Sequence, residues 1–193
     1  MFRSEISKEE VAGLDLIQFE GPLQVIDSDH EFEQLAAELR PSKLLGFDTE
    51  TRPSFKKGLV YPTSIIQLAT QEQAWILRVG KMGYPPLLRE LLSDESILKV
   101  GLSLKDDIRR MQADLSFEPR GFLDLQQYVQ AFGIEELGLK KLSALVLGRR
   151  ISKSQQVSNW DAHELTEAQL RYAATDAWIC VMIYNKLKSA ILS

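Results

Sequence analysis

Short apolar runs separated by polar turns predict buried strands in the first half of this chain. The runs at residues 44–48, 65–69, 74–77 and 97–100 have the length and composition of strands. A short polar turn at residues 70–72 joins the second run to the third, which predicts a hairpin. An extended stretch at residues 16–26 precedes these runs, so the sequence predicts a sheet of five strands.

Apolar residues at helical spacing predict helices on either side of these strands. Ser28 and Thr166 stand where side chains cap helix starts, and Gly148 stands where a helix commonly ends. The predicted helices cover residues 7–14, 31–39, 86–92, 104–113, 125–132 and 140–147, with a last helix from residue 166 toward residue 189. This order of elements favours an α/β fold with a mixed sheet flanked by helices.

Size and composition fit one globular domain that spans residues 1–193. The chain has 193 residues, of which 45% are hydrophobic and 26% are charged, enough for a sizeable core. No secretory signal is visible at the start, and the longest strongly apolar run, residues 178–183, is too short to span a bilayer. The single cysteine, Cys180, cannot form an intramolecular disulfide. We therefore expect a cytoplasmic protein with no membrane partner.

The net charge narrows the possible functions only slightly. A formal charge of -4 argues against a protein that coats nucleic acid through bulk electrostatic attraction. It is compatible with a nuclease, because metal ions held by acidic residues supply the positive charge that meets the phosphate.

Five chemically active side chains stand out because of their spacing. Asp48 and Glu50 are two residues apart on a predicted strand, so both side chains leave the same face of the sheet. Tyr172 and Asp176 are four residues apart on the last predicted helix and share one helical face. Asp107 lies early in a helix, just beyond a strand end and a glycine turn, where clefts of α/β sheets commonly open.

If these segments converge, they form a site for two divalent cations. Several uncompensated carboxylates repel one another, and hard oxygen ligands favour Mg²⁺ or Mn²⁺. For in-line cleavage of a phosphodiester we expect Asp48 to bridge both cations, with Glu50 and Asp176 completing the first site and Asp107 supporting the second. Tyr172 would orient the attacking water, since a phenol is a poor base at neutral pH.

Each of these residues also has an ordinary structural interpretation. Asp48 and Glu50 suit a solvated strand end, Tyr172 suits a core aromatic, and Asp107 suits an acid that stabilises a helix start. The adjacent Asp106 leaves the register of the second acidic segment open. Seven residues in two loops are candidates for contact with phosphates or bases: Phe55, Lys56, Lys57, Tyr61, Arg149, Arg150 and Lys153.

Three segments taken in order resemble the three motifs of a known nuclease family. Phe47-Asp48-Thr49-Glu50, the later Asp107 and Tyr172-Ala173-Ala174-Thr175-Asp176 are similar to those of the DEDDy 3′-5′ exonucleases. That branch contains ribonuclease D and the exonuclease domain of the Werner syndrome helicase. The similarity covers residues 20–188, and the segments 46–50, 65–69 and 158–176 look most like the Werner type.

The resemblance implies a ribonuclease H-like fold, two Mg²⁺ or Mn²⁺ ions and release of nucleoside 5′-monophosphates from a 3′ end. The implied partner is a DNA or RNA 3′ end, and the Werner-type similarity slightly favours DNA. Two alternatives stay open: RNA trimming in the manner of ribonuclease D, and a non-catalytic nucleic-acid-binding domain on the same fold.

Overall fold

A six-stranded mixed sheet forms the centre of the molecule. The computed structural model describes residues 2–56 and 58–192. Across the sheet the strand order is β1-β4-β3-β2-β5-β6, and only β3 runs antiparallel to its two neighbours. The strands are β1 (Leu23–Ile26), β2 (Leu44–Thr51), β3 (Thr63–Ala69), β4 (Ala74–Leu77), β5 (Leu98–Gly101) and β6 (Phe122–Asp124).

Helices cover both faces of this sheet. They are α1 (Lys8–Ala12), α2 (Asp29–Leu39), α3 (Val79–Met82), α4 (Pro86–Ser93), α5 (Leu104–Asp114), α6 (Leu125–Tyr128) with a 3₁₀ turn at Val129–Phe132, α7 (Leu139–Leu147) and α8 (Glu167–Leu192). Residues of α2, α4 and α5 pack in one apolar cluster on the first face. Residues of α7 and α8 pack against the other face.

The predicted α/β fold is confirmed, but the predicted number of strands is wrong. The structure has six strands rather than five. The additional strand, β6, has three residues, all half-buried, and a segment this short shows no alternation that distinguishes it from a loop. The stretch predicted at residues 16–26 is a strand only over Leu23–Ile26. The helix predicted over residues 125–132 divides into α6 and the 3₁₀ turn.

Local capping signals place several helix ends where the sequence predicts them. The backbone N–H of Thr166 donates to Gln169 Oε1 at 3.0 Å, and the N–H of Gln169 donates back to Thr166 Oγ1 at 3.3 Å. This capping box fixes the start of α8. Gly148 ends α7 with φ 66°, a left-handed conformation that glycine adopts without steric cost.

Strand β2 and helix α8 approach each other closely beside the acidic residues. A Cβ atom added to Gly46 on β2 would stand 2.0 Å from the backbone oxygen of Ala177 on α8. Only glycine therefore lets α8 lie this close to β2. This contact brings the acidic end of β2 beside the helix that carries Tyr172 and Asp176.

Candidate active site

Three carboxylates from two distant segments converge at the edge of the sheet. Asp48 and Glu50 come from β2 and Asp176 comes from α8. One carboxylate oxygen of each lies within 4.8 Å of the others. The spacing of two along the strand and the close packing of α8 on β2 together produce this cluster.

Burial and mutual repulsion disfavour the ionised forms of these acids. Burial, followed by the nearby charges of Asp176 and Asp107, raises the pKa of Glu50 to about 8. Burial also raises the pKa of Asp176 to about 7, although the Tyr172 hydroxyl and Lys153 oppose the shift. The pKa of Asp48 rises well above its usual value, first through burial and then through Asp176. A cation bound among these acids would offset their repulsion and favour their ionised forms.

Asp107, rather than its neighbour Asp106, faces this cluster. The hydroxyl of Thr49 donates to Asp107 Oδ1 at 2.8 Å, and Arg110 pairs with the same oxygen at 3.2 Å. Burial raises the pKa of Asp107, while Thr49 and Arg110 oppose that rise. The side chain of Asp106 is 69% exposed and pairs with Arg109 on the outer surface of the helix. Asp107 thus lies beside the cluster of three rather than within it.

Asp124, which sequence reasoning missed, holds the turn that leads to Asp107. Its two carboxylate oxygens accept hydrogen bonds from the backbone N–H groups of Ser103 and Leu104, at 3.1 and 3.0 Å. Ser103 has φ 57°, a left-handed conformation that costs a non-glycine residue about 1–2 kcal/mol. Asp124 also caps helix α6, because its carboxylate accepts a hydrogen bond from the backbone N–H of Gln126. This local role is the one that the sequence around Asp124 indicates. Its contact with the turn depends on strand pairing between β5 and β6.

Tyr172 lies beside Asp176 on the same face of α8. Its hydroxyl opposes the rise in the pKa of Asp176, and its ring packs on Trp160 with centroids 6.0 Å apart. Burial, then the charges of Asp176 and Glu50, raises the pKa of Tyr172 far above its usual value. The phenol therefore stays protonated and is a hydrogen-bond donor at neutral pH.

A cavity of about 440 Å³ opens in front of these residues. Its lining includes Asp48, Glu50, Asp176 and Tyr172. The lining also includes Gly138, Ser152, Lys153 and Gln156. Lys153, predicted as a substrate contact, thus lines the same cavity as the carboxylates.

The loop that follows β2 forms most of a second cavity, of about 360 Å³. Among the residues that line this cavity are Phe55, Lys56, Tyr61 and Asn159. Phe55 is 86% exposed, so its ring is available to a base. The ring of Tyr61 is already covered by the Arg52 guanidinium at 5.1 Å.

Three other candidate substrate contacts have different placements. Arg149 pairs with Asp15, and Arg150 Nε donates to the backbone oxygen of Leu14 at 2.8 Å. These two arginines therefore fix the segment that follows α1, and neither lines the acidic cavity. Lys57 lies outside the described residues.

The donor set fits the divalent cations that the resemblance implies. The cluster offers carboxylate oxygens from three residues within 4.8 Å of one another, with Asp107 adjacent. Hard carboxylate oxygen donors suit Mg²⁺ or Mn²⁺. Asp48, Glu50 and Asp176 are the residues placed to hold such a cation.

Comparison with known proteins agrees with this geometry. A sequence model of the 3′-5′ exonuclease family matches residues 23–192. The chain belongs to this family. This membership confirms the expected resemblance to 3′-5′ exonucleases, and with it the enzyme class of phosphodiester hydrolases at the level of the domain. No helix among residues 2–56 and 58–192 has the length and apolarity needed to cross a membrane.

Relatives of this exonuclease domain include parts of larger proteins. The mouse bifunctional 3′-5′ exonuclease/ATP-dependent helicase WRN is 29% identical over 184 residues, which are 90% of this chain and 13% of that protein. The crystal structure of the Aedes aegypti Nibbler EXO domain is 28% identical, with a TM-score of 0.80 and 92% of each chain covered. Escherichia coli RNase D, described as an exoribonuclease involved in structured RNA processing, is 25% identical, with a TM-score of 0.73 and coverage of 86% of this chain and 44% of that one. The chain thus spans only a small part of the mouse relative.

The raised pKa values of this exonuclease domain predict an unusual dependence of stability on pH. Between the usual pKa of Glu50, 4.5, and its raised pKa of about 8, the carboxyl is protonated in the folded state and ionised in the unfolded state. Raising the pH through this window therefore favours unfolding. We expect the melting temperature of the metal-free protein to fall as the pH rises from 5 to 8, and Glu50→Gln to reduce that fall.

Thermal unfolding in EDTA at a series of pH values tests this expectation, with the surface change Glu118→Gln as a control. Added Mn²⁺ should restore the melting temperature of the wild type at pH 8, because bound cations favour the ionised acids. Identical pH profiles for wild type and Glu50→Gln would contradict the expected role of Glu50.

Proposed function

We propose that this domain removes nucleotides from the 3′ end of a nucleic acid and releases nucleoside 5′-monophosphates. The observation that carries the proposal is the convergence of Asp48, Glu50 and Asp176 with Tyr172 in one open cavity. Family membership supports the direction of digestion. Because the chain spans only part of several relatives, the activity of the whole protein is part of this proposal.

Different acidic residues would bind each of the two Mg²⁺ or Mn²⁺ ions, with Asp48 shared between them. Asp48 lies in the cluster with Glu50 and Asp176, and the charge of Asp107 also acts on it, which suits a carboxylate shared by both sites. Asp107 would support the second site, held in orientation by Thr49. When bound, such cations lower the pKa of water and neutralise charge on the leaving oxygen.

Tyr172 would orient the attacking water rather than deprotonate it. Its raised pKa keeps the hydroxyl protonated at neutral pH. A protonated hydroxyl beside Asp176 is able to hold a water by a hydrogen bond and fix its direction of approach. The ring is held in place by its packing on the buried Trp160.

The substrate strand would lie along the two cavities. Lys153 lines the acidic cavity and is placed to contact a backbone phosphate. Phe55 is exposed beside Lys56 and offers a stacking surface for an unpaired base. These contacts need no particular base sequence, which suits an enzyme that shortens a strand step by step.

DNA is the proposed substrate, with RNA as the alternative. The resemblance to the Werner-type branch favours DNA. The relative described as an exoribonuclease, Escherichia coli RNase D, favours RNA. Recognition of the 2′-hydroxyl would distinguish the two.

Digestion of 5′-labelled oligonucleotides tests the proposal. Single-stranded DNA, recessed duplex DNA and RNA of one sequence are incubated with Mg²⁺ or Mn²⁺, and matched samples contain EDTA. A metal-dependent ladder that shortens from the 3′ end, with mononucleotide products, is the expected result, and initial rates rank DNA against RNA. No ladder on any substrate, combined with no binding of Mn²⁺ by the folded protein, would favour a non-catalytic binding domain.

Replacement of Tyr172 by phenylalanine removes only the hydroxyl. We expect Tyr172→Phe to lower kcat about 10² to 10⁴-fold, in the range of a lost proton-handling or orienting group, while Mn²⁺ affinity changes little. Single-turnover digestion and calorimetric titration with Mn²⁺ measure the two effects separately. Tyr128→Phe, a tyrosine outside the acidic cavity, is the matched control. An unchanged kcat would show that the hydroxyl of Tyr172 has no part in the reaction and that the residue is purely structural.

A further inference from the structure

Gln67 is a buried polar residue in the centre of the sheet. It lies on β3, and its side chain is 0% exposed. Neither the oxygen nor the nitrogen of its amide has a hydrogen-bond partner among residues 2–56 and 58–192. A buried amide without partners opposes folding, because its hydrogen bonds to water are lost and not replaced. Such a residue calls for an explanation beyond packing.

Within the sheet, the neighbours of Gln67 are apolar on all sides but one. Its neighbours on the same face of β3 are Ile65 and Ala69, and its partner on β4 is Ile76. The helix above this face contributes alanines to the same apolar cluster. On the remaining side, the register places Gln67 directly opposite Asp48 of β2.

Directly opposed residues of antiparallel strands place their Cβ atoms about 4.5–5.5 Å apart on the same face of the sheet. The flexible side chain of Gln67 spans such a distance with a change of rotamer. Asp48 also lacks a side-chain donor among the described residues, and only the backbone N–H of Thr49 opposes the rise of its pKa. An unused amide donor and an under-bonded carboxylate are therefore immediate neighbours.

We propose that the side-chain amide of Gln67 donates a hydrogen bond to Asp48 and fixes the orientation of that carboxylate when the site holds its cations. Gln67 is then a positioning residue that acts through Asp48 and does not touch the substrate. This inference rests on the proposed function, since it takes Asp48 as a cation ligand. It explains why a polar side chain is buried between apolar neighbours on β3 and β4.

Hydrogen bonds to the ligands of a metal typically change its affinity about 10 to 100-fold. An amide that gains its partner only in the loaded site makes two opposite contributions: it destabilises the metal-free fold and strengthens cation binding. Gln67→Met retains the size of the side chain and removes both effects. We expect the variant to bind Mn²⁺ about 10 to 100-fold more weakly, and to melt in EDTA at the wild-type temperature or about 2–4 °C above it.

Calorimetric titration with Mn²⁺ and thermal unfolding in EDTA measure the two quantities on the full chain. Leu68→Met is the matched control, because Leu68 is the next residue on β3, is equally buried and points to the opposite face. It should leave Mn²⁺ affinity unchanged. Gln67→Leu offers a second apolar side chain of different shape if Gln67→Met does not fold.

Each remaining outcome overturns the inference in a distinguishable way. Mn²⁺ affinity within about twofold of wild type in the folded variants would show that Gln67 does not position Asp48. A parallel fall in affinity and in metal-free melting temperature would assign Gln67 to packing. A wild-type protein that binds no Mn²⁺ would overturn the cation site itself, and with it the proposed function.

Discussion

Asp48→Asn is expected to lower the rate of 3′-end digestion by roughly three orders of magnitude or more. The charges of Asp176, Glu50 and Asp107 all act on Asp48, and the asparagine amide replaces a carboxylate oxygen by a donor that repels a cation. The fold should survive, because the change is isosteric and replaces a carboxyl group whose ionised form is disfavoured by burial. We expect the metal-free variant to melt no lower than the wild type.

Asp106→Asn is the matched control for this experiment. It makes the same chemical change in the second acidic segment, but at a side chain that is 69% exposed and paired with Arg109. Digestion rates of both variants are measured with saturating Mg²⁺ and with Mn²⁺. Wild-type activity in Asp48→Asn would remove this residue from the site, and a comparable loss in Asp106→Asn would show that the register of the second acidic segment is Asp106.

Gly46→Ala is expected to destabilise the fold and lower the digestion rate, although Gly46 itself offers no functional side chain. The added methyl group would stand 2.0 Å from the oxygen of Ala177 and 3.0 Å from Val181 Cγ2, so α8 must move away from β2. Overpacking of this kind costs about 1–3 kcal/mol, and more where backbone blocks relaxation. Because α8 carries Tyr172 and Asp176, a displacement of about 1 Å would also lower the digestion rate about 10²-fold.

Gly13→Ala controls for the loss of a glycine as such. Gly13 ends α1 with φ -77°, and an added Cβ would meet no atom nearer than 3.6 Å. Thermal unfolding and digestion rate are measured for both variants. If Gly46→Ala matches Gly13→Ala in stability and rate, close packing of α8 on β2 does not hold the site together.

Local sequence determined the elements that carry the site. The alternation of β2 puts Asp48 and Glu50 on one face, and the helical period of α8 puts Tyr172 and Asp176 on one face, since these periods depend only on backbone geometry. The capping box at Thr166 and the glycine at 148 set helix ends through contacts within a few residues. For the same reason the predicted motif positions on strand and helix agree with the structure.

Tertiary packing determined which of the candidate residues meet. Asp106 and Asp107 are adjacent acids in sequence, but in the structure Asp107 meets Thr49 of β2 whereas Asp106 stays on the surface. Arg149 and Arg150 resemble phosphate contacts in sequence, but the chain before β1 returns to pair with them. Such pairings depend on contacts between residues far apart along the chain, which no local period encodes.

The roles of two residues, Gln67 and Asp124, could not be predicted from the sequence, for the same physical reason. Gln67 in a strand of apolar residues gives no signal of its position opposite Asp48, because strand register is set by pairing with another segment. Asp124 has the local signature of a helix cap, and its hold on the turn before Asp107 depends on β6 lying beside β5. The sequence by itself thus determined which reactive side chains are present and on which face of each element they lie. The tertiary structure alone decided which of these side chains come within bonding distance, because that depends on how the elements pack.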